Sequence, residues 1–232
     1  MIKNKERMTY VVDVKLVFIF VKQSFTLKKL TLENRFKNLI RLYTTDSDVI
    51  SRLWEQLYVR YTEKHRTYHN LQHLKELFGY YDTYIGELSQ PNLVAFSIFY
   101  HDIIYNIWKK DNEEKSAKVA LQSLATIISR SELNIINEQI IATKTHESNF
   151  SDTQFLIDFD LAILGQSTAV YQQYATLIRT EYKLVPDFLY YKGRKKVLQH
   201  FIDKPFIYKT EVFINLYEKA AKKNLVEELN QL

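Results

Sequence analysis

Seven residues decide most of what this chain can become: among 232 positions it holds only four Gly and three Pro. Sandwiches, barrels and doubly wound sheets need many tight connections, and those turns draw on Gly for positive φ and on Pro for a fixed φ. A chain so poor in both is expected to be helical. Its 46% apolar residues suffice for a full core, and 14% aromatic and 25% charged residues exclude a disordered or low-complexity polymer. The length fits one domain, or a domain with an extension.

The formal charge of +5 hints at nucleic acid until it is divided along the chain. Residues 1–40 hold nine Lys/Arg and three Asp/Glu, giving +6, which leaves 23 Lys/Arg and 24 Asp/Glu, or −1, for residues 41–232. The body is balanced, so no nucleic-acid polymer is expected as a partner. The run Lys192, Arg194, Lys195 and Lys196 reads as a solvated helix face. With no cysteine, any metal must sit on His and carboxylate, and a reducing cytoplasm fits.

No stretch approaches the roughly 20 apolar residues of a membrane-spanning helix. The apolar run at 16–21 follows Lys3, Lys5 and Arg7 in imitation of a signal peptide, but Asp13 and Lys15 interrupt it and no small-residue cleavage site follows. The chain is therefore expected to be cytoplasmic. Residues 10–21 read as a short edge strand or a buried arm.

From residue 31 onward the pattern is one of amphipathic helices. Asp46-Ser47-Asp48 can cap a helix carrying Val49, Ile50, Leu53, Trp54 and Leu57 at helical spacing. A second begins near His69-Asn70, a third at Pro91 running to Asn106, and a fourth at Asp111-Asn112 with Glu113 and Glu114 in its first turn. Ser131, Ser151 or Asp152, Ser167 and Pro186 open the rest, the last fading into the polar tail at 227–231. The expectation is an all-α helical bundle of eight or nine helices over 46–232. An N-terminal extension at 1–45 precedes it, to which the sequence assigns no role.

Four of six His lie between residues 65 and 101: His65, His69, His73 and His101. On a helix, His69 and His73 project from one face, the geometry of a shared metal site or of an incidental surface pair. His101-Asp102 sits in an almost wholly apolar stretch, where a charged Asp needs a metal, a partner or a hydrogen-bond network, such as a cap on another helix. In Asp158-Phe159-Asp160 one of the two carboxylates must face inward. A hard divalent cation on two His and two Asp would satisfy these charges together, and mixed N/O ligation suits Mn, Fe, Mg, Zn, Co or Ni alike.

The order His73, His101-Asp102, Asp160 resembles the H…HD…D signature of the HD superfamily of metal-dependent phosphohydrolases, which are all-helical. Tyr68-His69-Asn70-Leu71-Gln72-His73 is similar to the YHNxxH motif of cyclic-nucleotide phosphodiesterases. A bacterial group of predicted HD phosphohydrolases is more similar still. That likeness covers Arg66 to Asn70, Tyr100 to Asp102 with Tyr105, Asn112-Glu113, Ser116-Ala117, Thr143 with His146, 158–161, Ile178-Arg179, Glu181-Tyr182 and Gly193-Arg194. It spans about two-thirds of the chain, from Trp54 to Tyr208, and leaves out residues 1–45. The glutamine and aromatic clamp of the phosphodiesterases are not found, so cyclic nucleotides are not implied. Many HD enzymes also carry Glu where this chain has Tyr105.

The resemblance implies that His73, His101, Asp102 and Asp160 are metal ligands and His69 the general acid. It further implies one or two divalent ions per chain, Asp102 bridging to the second, and phosphoester hydrolysis by metal-activated water. Glu113 and His146 are the additional site candidates; His146 either orients water or ligates a second ion, or is a polar end to its helix. Arg66 is expected to hold the substrate phosphate with its planar fork. Arg179 and Arg194 are read as ion-paired with a Glu such as Glu181. The expected substrate is a small phosphorylated metabolite or nucleotide. The alternatives are a catalytically weak HD domain that binds nucleotide as a regulatory module, and a helical scaffold with core histidines.

Overall fold

The computed structural model describes residues 31–232; the edge strand or arm expected at 10–21 lies outside them. Within them the chain is all-helical, with no strand. The helices are α1 Leu32–Ile40, α2 Ser47–Tyr61, α3 Leu71–Tyr84, α4 Pro91–Tyr100, α5 Asn112–Leu124, α6 Arg130–Thr145, α7 Ser151–Leu161, α8 Thr168–Glu181, α9 Asp187–Asp203 and α10 Glu211–Gln231. Two 3₁₀ turns, Ile85–Glu87 and Ala162–Gly165, extend α3 and α7.

Local chemistry sets several boundaries. The Asp46 carboxylate accepts from Asp48 and Val49 N–H to start α2, and Asn70 accepts from Gln72 N–H to start α3. Pro91 occupies the first turn of α4. Helix α6 is opened by Ser129 rather than by Ser131: Ser129 and Glu132 form a reciprocal capping box, which places Ser131 inside the first turn. The segment expected as one final helix is two. Pro205 forces Lys204 out of helical geometry, to ψ 140°, and the chain restarts at α10.

Helix α4 is the centre. All eight residues at 93–100 are buried, so it has no solvent face, as a helix apolar on every side requires. Helices α3, α6 and α7 pack around it. Burying each of its large apolar side chains contributes about 1.5–3 kcal/mol. The part of the 1–45 stretch that is described joins this core: Phe36 and Ile40 of α1 are fully buried, and Phe36 meets Phe99 edge-on at 5.0 Å.

Helix α4 stops at Tyr100, short of the expected Asn106, although the apolar pattern continues. Arg66 supplies the reason. Its guanidinium donates to the carbonyls of Asp102 at 2.6 Å and Ile103 at 3.0 Å, pairing buried acceptors of the turn that follows the helix. Ser116 holds the same turn, accepting from Ile104 N–H at 3.0 Å. His101 and Asp102 are thereby presented from a helix end, not from a helix side. After α7, α10 crosses the 162–165 turn closely enough that only Gly fits at 165. A Cβ there would meet Tyr217 Cβ at 2.5 Å and the Tyr208 hydroxyl at 2.8 Å.

Candidate metal centre

Three elements bring four ligand-type side chains together. His73 comes from the first turn of α3, His101 and Asp102 from the turn after α4, and Asp160 from the last turn of α7. His73 Nε2 lies 3.2 Å from His101 Nε2 and 3.2 Å from Asp160 Oδ1. Asp102 Oδ2 lies 3.3 Å from His101 Nε2 and 3.9 Å from His73 Nε2, and Asp160 Oδ1 is 3.8 Å from His101 Nε2. Both imidazoles are 1% exposed.

The residues fit a cation. Ligand atoms about 2.1 Å from one ion in a tetrahedral shell lie about 3.4 Å from each other, in the middle of the observed separations. His101 Nδ1 donates to the Ile98 carbonyl at 2.9 Å, which leaves the Nε2 lone pair of the neutral ring facing the cluster, as in metal sites with an oriented imidazole. Its neighbour His73 has a buried Nδ1 with no partner among the described residues. The buried group His73, His101 and Asp160 can hold a metal ion. Without one, burial disfavours protonation of His101, but the charges of Asp102 and Asp160 push it up to about 9. Asp102 is in turn held far below the usual carboxylate range: burial opposes this, and His101, His69 and His73 outweigh it.

Of the two inward candidates on α7, Asp160 reaches the cluster and Asp158 does not. Asp158 turns the other way and caps α10, accepting from Lys209 N–H at 2.7 Å, Thr210 N–H at 2.8 Å and the Thr210 hydroxyl at 2.6 Å. Burial pushes its carboxyl up to about 6 despite these bonds.

His69 stands beside the cluster, its Nε2 4.0 Å from Asp102 Oδ2. It precedes the Asn70 cap and is not on α3, so it does not share a helix face with His73 as the spacing suggested. Its position comes from Glu181, at the end of α8. The Glu181 carboxylate accepts from Tyr68 N–H at 2.8 Å, His69 N–H at 2.9 Å, His69 Nδ1 at 2.7 Å and the Tyr105 hydroxyl at 2.9 Å. Tyr105 also stacks on the His69 ring at 4.3 Å. Burial opposes ionisation of Glu181, but the bonds from His69 lower it to about 2. His69 rises in response, since its bond to Glu181 and the charge of Asp102 overcome burial.

Two sequence expectations are corrected here, Arg66 as the holder of a phosphate and a Glu as the partner of Arg179, whereas the Glu pair expected of Arg194 is present with Glu228 in the place of Glu181. Arg66 is not free to hold a phosphate: its side chain is fully buried, and its donors go to Glu63 at 3.0 Å and to the carbonyls of His69, Asp102 and Ile103. Glu181 pairs with His69 and with neither arginine. Arg194 instead forms a buried two-pronged pair with Glu228 at 2.7 and 2.9 Å, and Arg179 pairs with Asp187. Glu181 and Tyr105 are the partners of His69 that sequence reasoning missed. A signal existed, because Tyr171, Ile178 and Glu181 fall on one face of α8, and an acid on a buried stripe needs a partner.

Glu113 and His146 lie around the cluster without hydrogen-bonding to it. Burial, then the charge of Asp102, raises the Glu113 carboxyl. His146 ends α6 in the left-handed region, φ 56°, its ring 5.2 Å from Phe201. Burial lowers it to about 4, against the opposing charge of Asp160. Among the described residues no helix is long and apolar enough to cross a membrane. Comparison with protein-family models, curated proteins and solved structures finds no match.

Proposed function

We propose that this chain is a metal-dependent phosphohydrolase of the HD type, acting on a phosphoester of a small metabolite or nucleotide. The observation that carries the proposal is the convergence of His73, His101, Asp102 and Asp160, with a carboxylate-backed imidazole, His69, on its rim. A divalent cation held by those four residues supplies Lewis-acid stabilisation of phosphoryl charge and acidifies the attacking water. The protein supplies the rest. His101 is kept in the ligating tautomer by the Ile98 carbonyl, and Arg66 anchors the turn that presents Asp102.

His69 holds its proton at Nε2, because Nδ1 is committed to Glu181, and the buried negative charge of Glu181 favours the doubly protonated ring. Such a group donates to the leaving oxygen as the ester bond breaks. Tyr105 and Glu181 fix the ring plane, so the proton meets one direction of approach.

Elemental analysis of dialysed protein tests the centre: wild type should carry a transition metal near one equivalent, and His101→Ala should carry none. Equal, low metal in both would remove the assignment. The metal-loaded wild type should then release phosphate or pyrophosphate from at least one member of a panel of nucleotides, alarmones and sugar phosphates with Mn, Co or Mg. Retained metal and a nucleotide-dependent rise in Tm, with no turnover of the whole panel, would replace the enzyme by a nucleotide-binding module.

A further inference from the structure

Two adjoining cavities of about 210 Å³ and 100 Å³ open beside the candidate centre, and both are lined by Tyr68, His73, Glu76, Ile163 and Val170. They form one groove between α3, α8 and the 162–165 turn, and Asp160 borders its larger part. Its wall is largely aromatic and aliphatic, with Tyr68, Tyr80 and Phe159 buried or partly buried. Among the described residues no Lys or Arg lines either cavity, and apart from His73 and Asp160 the one charged side chain is Glu76. Glu76 lies one helical turn after His73 and is half-buried, with Gln72 Nε2 donating to it at 3.1 Å.

Among the described residues a phosphate finds no cationic side chain in this groove and would face a carboxylate across a medium poorer in water than bulk, where like charges repel more strongly. A flat apolar ring buries well against the aromatic wall, and an N–H or ammonium group on it finds an acceptor in Glu76. We propose that the groove holds the organic part of the substrate and that Glu76 sets its charge. The preferred ester is then a monophosphate on an aromatic body that carries a donor or cationic group and no second anion. This inference rests on the phosphohydrolase reading and narrows it, since it disfavours nucleoside di- and triphosphates and acidic sugar phosphates.

Non-hydrolysable phosphonates read the charge preference without turnover. Manganese-loaded protein is titrated calorimetrically with phenylphosphonate and its 4-aminomethyl and 4-carboxy derivatives. Wild type should bind the aminomethyl compound most tightly and the carboxy compound most weakly, across a span of about tenfold, the sum of one partly screened attraction and one repulsion. Glu76→Gln should bring the three to within about twofold of each other. Val170→Lys, at an exposed rim position, should reverse the order by favouring the carboxy compound. Equal affinities in wild type, or an order that survives both substitutions, would overturn the role of Glu76 while leaving the hydrolase reading intact. Failure of the manganese-loaded protein to hydrolyse any of the corresponding aryl phosphates, together with no turnover of the nucleotide, alarmone and sugar-phosphate panel, would overturn both.

Discussion

Replacing Glu181 by Gln removes one charge from a fully buried side chain that accepts four hydrogen bonds. Its carboxyl falls from an ordinary value of 4.5 to about 2 in the folded protein. At about 1.4 kcal/mol per pH unit, that fall corresponds to about 3 kcal/mol of stability at neutral pH. The sign follows from the direction. A carboxyl lowered by folding stabilises above its unfolded value, near 4.5, and the stabilisation is lost as pH falls toward 2. At pH 3 it should have shrunk to about 1.4 kcal/mol, less than half. Urea unfolding of metal-stripped wild type and Glu181→Gln, at pH 7 and pH 3, measures the difference at each. The variant should be less stable by about 3 kcal/mol at pH 7, and the gap should narrow on acidification. A gap below about 1 kcal/mol at pH 7, or one that is the same at both pH values, would refute the account of Glu181 as a buried, ionised anchor.

The same anchor governs His69. With His69→Ala the metal should stay and turnover should fall about 10²- to 10⁴-fold on an unactivated ester, but much less on a nitrophenyl ester that needs little protonation. Since His69 is raised and acts protonated, activity should decline as pH rises through its titration, and Glu181→Gln should move that decline to lower pH; a pH–rate profile decides. Asp158 and Asp160 should separate cleanly: Asp160→Asn empties the centre, whereas Asp158→Ala keeps the metal and lowers stability by about 1–3 kcal/mol through the loss of the α10 cap. Gly165→Ala forces a methyl against Tyr217 and Tyr208, and should lower stability by about 1–3 kcal/mol or more, with metal content unchanged at saturating metal.

Much of the architecture is legible in the sequence alone, because the signals involved act within a turn of helix. The scarcity of Gly and Pro excluded turn-rich folds, and Asp46, Asn70 and Pro91 mark helix starts through bonds or ring geometry confined to neighbouring residues. The cost of isolated charge in apolar surroundings, which exists whatever the fold, marked Asp102 and an α7 aspartate as needing a partner, and the resemblance of the His and Asp order to a known signature supplied the rest of the candidate set. Tertiary structure alone decided the rest. Two aspartates two residues apart point roughly 200° away from each other on a helix. One of Asp158 and Asp160 therefore had to face elsewhere, and which one depended on where α10 packed. The end of α4 depended on Arg66, 36 residues earlier, and the setting of His69 on Glu181, 112 residues later. Those partners meet only because buried carbonyls and a buried carboxylate must find hydrogen bonds in three dimensions, and no periodicity along the chain records which group each one finds.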